Sequence, residues 1–156
     1  MILAYHTPFC RIAIASAALL AGMLGASAAL ASGDGLAERM AHLQRHTHKL
    51  QLSVEARNGD LVGFYVHEIE EIAEGIRDEI PSYDDHPVGK LVGEILLPAV
   101  ESMEETAESG DWAAADAAFD RLLGACNACH ASTAHGYVRI VRGTGNPYNQ
   151  DFSPAD

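Results

Sequence analysis

The strongest constraint on the fold of this chain is the spacing of its apolar residues. Between Leu36 and Val54 they fall at Leu36, Met40, Leu43, Leu50 and Val54, with Thr47 in the same row. The steps are four, three, four, three and four residues, which keep one face of an α-helix turned toward a partner. The same steps recur at Val62, Val66, Ile69, Ala73, Ile76 and Ile80. No stretch alternates with the period of two that a strand requires.

Two further segments follow. Val88, Val92, Ile95, Ala99 and Met103 form one stripe, and Trp112, Phe119, Leu123, Cys126 and His130 form another. Punctuation separates the four segments. Asn58-Gly59-Asp60 breaks the first from the second, with Asp60 the expected N-cap. Pro81 ends the second, and Pro87 suits the first turn of the third. Pro98 lies inside the third and is expected to kink it, because it removes a backbone donor. Gly110 closes the third segment, Asp111 caps the fourth, and Gly136 ends it. The expected helices span about 35–56, 61–80, 87–109 and 112–135. Helices of this length joined by short links predict an all-α chain, an antiparallel up-down four-helix bundle. Residues 137–156, with Gly143, Gly145, Pro147 and Pro154, read as an irregular tail.

The first 31 residues read differently. Arg11 is their only formal charge, and an Ala- and Leu-rich run from Ile12 to Leu30 follows it. Ala29-Leu30-Ala31 fits a small-x-small cleavage site, so residues 1–31 are expected to be a secretory signal and Ser32 the first mature residue. A retained membrane anchor is the rival, since the run nearly suffices to cross a bilayer. Cleavage would leave a domain over 32–136 and the tail, in the periplasm, with no membrane span. Cys10 would leave with the signal, so only Cys126 and Cys129 would remain.

Composition excludes several classes. Lys and Arg number 10 against 22 Asp and Glu, a net charge of −12, and losing Arg11 makes it −13. Such a chain lacks the cations that nucleic-acid phosphates need. A hydrophobic fraction of 48% is too high for a disordered chain. Three cysteines are too few for a disulfide scaffold.

Chemistry concentrates in one pentapeptide, Cys126-Asn127-Ala128-Cys129-His130. C-x-x-C-H is the spacing of covalent haem attachment. Two thiols add across the two vinyl groups of one porphyrin, and the adjacent His130 reaches the iron as proximal ligand. Zinc usually needs a second ligand pair, and there is no second C-x-x-C. A redox dithiol belongs to a strand–helix context. A Cys126–Cys129 disulfide is the plainest alternative. Eighteen residues, five helical turns, separate Trp112 from His130, so His130 continues the inward stripe.

Four exported helices with C-x-x-C-H on the last resemble the cytochrome c′ family. The resemblance covers about Leu36 to His135. It implies one covalently attached haem c in the bundle core, and pairing of two copies through the first two helices. The chain departs from the family in two places. Ala131-Ser132-Thr133-Ala134 stands where many members carry a basic residue, and the tail is longer.

The opposite face of the iron separates two functions. In an up-down bundle the start of the first helix lies beside the end of the fourth, placing Met40 at the depth of His130. Met40 is thus the candidate distal iron ligand, and six-coordinate members of the resembled family use a Met in this region. His42, His46 and His48 are weaker candidates by direction or depth, with His46 leading. His42 and His46 form an i, i+4 pair without carboxylates to complete a metal site. His67 and His86 read as surface groups, and His135 as a group near a helix end. Arg39 is the candidate partner of a haem propionate. The first function is a single-electron carrier served by redox proteins, basic ones in view of the acidic second and third helices. The second is an open-faced haem protein that binds nitric oxide or carbon monoxide. No acid–base constellation accompanies the motif, so no enzyme activity is expected.

Overall fold

The computed structural model describes residues 26–155, with side chains described from Gly35 onward apart from that of residue 108. Most of the expected signal, residues 1–25, lies outside the described residues. Every regular element described is helical: α1 (Ala26–Glu55), α2 (Gly59–Glu79), α3 (Val88–Leu91), a π-helical turn (Val92–Leu96), α4 (Leu97–Ser109) and α5 (Trp112–Ser132). Among the described residues no helix is long and apolar enough to cross a membrane.

The first two stripes are buried as their spacing predicts. Leu36, Leu43, Thr47, Leu50 and Val54 of α1 are buried, and Met40 is partly so. All six stripe residues from Val62 to Ile80 are buried, joined by Tyr65. Arg39 forms an ion pair with Glu79, and the His46 ring lies 5.9 Å from that of Tyr65. The helix α2 packs on α3, the π turn and α4, and α5 packs on α4 and the π turn.

Four local expectations need correction. The N-cap of α2 is Asn58, not Asp60. Its extended backbone lets Oδ1 accept from the Leu61 N–H, and Asp60 falls in the first turn, where its charge suits the helix dipole. The first helix begins at Ala26 rather than near Gly35.

The third expected helix is interrupted rather than simply kinked. Pro98 offers no N–H to the carbonyl of Glu94, and the turn before it is wound as a π turn closed by the Leu97 N–H on the Val92 carbonyl. The wider turn shifts the inward face by one residue. Leu96 and Val100 are buried in place of Ile95 and Ala99, and Met103 is fully buried.

The fourth helix ends at Ser132, before the expected His135 and Gly136. Ala134 takes the left-handed conformation (φ 60°), and the His135 N–H bonds back to the His130 carbonyl at 2.8 Å. This is a Schellman-type closure made without glycine. Asp111 and Gly110 behave as expected. The Asp111 carboxylate accepts from Ala113 and Ala114, and Gly110 is left-handed at φ 70°.

The tail is irregular but not peripheral. It lies along α5 and α1 as a strap. Asn127 of α5 exchanges two hydrogen bonds with the backbone of Ile140, each 2.8 Å. Gln51 of α1 does the same with Gly143, at 2.8 and 3.1 Å. Arg142 bridges Asp116 and Asp120, and Phe152 is buried in the core beneath Asn58, whose amide donates to the carbonyls of residues 152 and 153.

Candidate functional site

In a helix the spacing of Cys126, Cys129 and His130 puts all three side chains on one face. The C-terminal half of α5 carries them to a cavity of about 440 Å³. Its walls are mostly apolar: Leu36, Met40 and Leu43 from α1, Val88, Val92 and Leu96 from the interrupted third helix, and Val138 and Ile140 from the strap. A concave apolar chamber with a few convergent polar groups is what a cofactor site requires.

The structure brings Met40, Cys126, Cys129 and His130 to this one cavity. It does not bring Arg39 there. The Arg39 guanidinium lies over Gly75, where a Cβ would collide with it, and is held by Glu79. None of His42, His46 and His48 lines the cavity. His46 packs on Tyr65 with its ring 6.5 Å from that of His42, and burial pushes its pKa below the ordinary value.

Both cysteines are free thiols. Burial pushes Cys126 up to about 11 and raises Cys129 as well, so both stay protonated at neutral pH. A dithiol that exchanges disulfides needs a lowered thiol pKa, and this pair has the opposite. Among the described residues no group of three or more His, Cys, Asp and Glu side chains is placed to hold a metal ion.

His130 is oriented by the strap. Its Nδ1 lies 2.8 Å from the carbonyl of Val138. A carbonyl only accepts, so Nδ1 carries a proton, and Nε2 is the ring nitrogen left for a ligand. This is the arrangement by which a ligating histidine is usually aimed. The apolar chamber, the two free thiols and the imidazole that line it are groups that a covalently held haem would use.

Three contributions to the site are not evident from residue spacing. His135 lines the cavity, with Nδ1 2.6 Å from the Thr133 carbonyl, because the helix turns back three residues early. Val138 and Ile140 close the cavity from the strap. Their sequence signal is the apolar cluster Tyr137, Val138, Ile140 and Val141, interrupted by Arg139.

In comparisons with known proteins, no family model, curated protein or solved structure matches this chain.

Proposed function

We propose that the chain is an exported c-type cytochrome with one covalently attached haem, acting as a single-electron carrier outside the cytoplasm. The observation that carries this reading is the convergence of Cys126, Cys129, His130 and Met40 on one apolar cavity. When bound, the haem supplies a one-electron couple at its iron. Cys126 and Cys129 would tether it through thioethers. His130 would ligate the iron through Nε2, with its orientation held by Val138. Met40 would complete the coordination from α1. Leu36, Leu43, Val92 and Leu96 would keep water from the iron and leave it without an acid–base partner.

An antiparallel up-down bundle belongs to the same proposal. What supports it is contact order. Residues 39 and 46 of α1 meet residues 79 and 65 of α2, and residue 102 of α4 meets residue 121 of α5 at 3.4 Å. Between α1 and α2, a rise along one helix pairs with a fall along the other. Export through residues 1–31, a mature charge of −13 and a basic redox partner complete the proposal.

The alternative is an open-faced site that binds nitric oxide or carbon monoxide. It is favoured by the apolar neighbours of Met40, Leu36 and Leu43, which would wall a dry distal face without ligating. Visible absorption of the ferrous protein with and without carbon monoxide separates the two. We expect a low-spin spectrum that carbon monoxide leaves unchanged, and Met40→Ala should make the protein respond. A rapid, complete spectral change in the unaltered protein would assign it to gas binding instead.

A further inference from the structure

A second cavity, of about 480 Å³, adjoins the first across Gln44, Thr47 and Ile140, between α1 and the strap. Its lining gathers Arg45 and His48 from α1 and Arg139 and Arg142 from the strap, and includes no carboxylate. Three of the ten Lys and Arg residues in a chain of net charge −12 thus meet at one place.

These cations are not equivalent. Arg142 is answered by Asp116 and Asp120, each at 2.9 Å, and lies over the Phe119 ring at 5.0 Å. Arg45 and Arg139 pair with no acid among the described residues. His48 meets the Tyr148 hydroxyl through Nδ1 at 3.2 Å, while its Nε2 is buried against Gly143 without a partner. Two exposed arginines, neither paired with an acid, therefore line a recess whose remaining walls include Phe119, Ile140, Val141 and Tyr148.

We propose that this recess binds a small organic anion, a carboxylate on an apolar body. Arg45 and Arg139 take the carboxylate, because a guanidinium fork matches its two oxygens. The aromatic and aliphatic walls take the body. A bare inorganic ion would leave those walls in water and much of the volume unfilled. A carboxylate could reach the recess from solution or from a cofactor in the adjoining cavity. The solution source is the one proposed, and it does not depend on the haem reading.

The test is calorimetric titration of the protein as isolated with benzoate, with inorganic phosphate as comparison. The expected result is saturable one-to-one benzoate binding with Kd below about 1 mM, and weaker binding of phosphate. Arg45→Gln and Arg139→Gln should each weaken benzoate binding at least about tenfold, with helical content unchanged by circular dichroism. Arg121→Gln, outside the recess, should leave it unchanged. No saturation by about 10 mM benzoate, or binding indifferent to the double variant, would overturn the proposal. Benzoate binding by a C126S/C129S chain but not by haem-loaded protein would give the recess to the haem's own carboxylates, and would also overturn it.

Discussion

Asn127 occupies a variable place in C-x-x-C-H, yet it ties the motif to the strap by two hydrogen bonds to Ile140. Removing it leaves a backbone N–H and a carbonyl unanswered under the strap. Asn127→Ala should cost about 1–3 kcal/mol by chemical unfolding and speed hydrogen exchange at the Ile140 amide. His46 gives a pH dependence. Burial is the largest cause of its lowered pKa; Arg45, Lys49 and His42 add to it, and Glu68 opposes. The folded state therefore binds fewer protons than the unfolded one as the solution is acidified. The stabilisation is complete above the ordinary histidine value and fades as pH falls through the depressed one. Melting temperature should fall as pH drops below the ordinary histidine value of about 6.5, and less so in His46→Gln. At this scale the shared helix face of Cys126, Cys129 and His130 was legible from their spacing, and the structure carries all three to one cavity. Asn127 and Val138 were not, because the one's partner and the other's role are backbone groups that any sequence provides.

Among the elements, the stripes of α1 and α2 are readable because nothing interrupts their period. The third helix fails the same reading at Ile95 and Ala99, since a π turn adds a residue that no hydrophobic count registers. The end of α5 fails because Ala134, not a glycine, takes the left-handed turn. Close packing gives an element-scale prediction. A Cβ on Gly89 would stand 2.6 Å from the Arg77 carbonyl and 3.2 Å from that of Ile80, both backbone atoms. Overpacking of this kind costs about 1–3 kcal/mol, and the gain in helix propensity on replacing Gly by Ala is only about 1 kcal/mol. Gly89→Ala should therefore lower the urea midpoint. Gly124→Ala in α5, where a Cβ meets nothing within 4 Å, should hold or raise it.

Across the whole molecule, the tail joins the site to the core. It aims His130 through Val138, closes the cavity with Ile140 and buries Phe152. Its irregular backbone is legible from its glycines and prolines. Its seat is not, because single side chains (Asn58, Gln51 and Asn127) hold it at long range. The all-helical class follows directly from the period of the apolar residues.

If Cys126 and Cys129 carry one haem, as proposed, the intact mass of the exported protein shows it. We expect a chain beginning at Ser32 with the mass of one haem added, not extractable by acidified organic solvent, and no addition in Cys126→Ser/Cys129→Ser. A mass equal to the bare chain, with two free thiols or a Cys126–Cys129 disulfide, would contradict it.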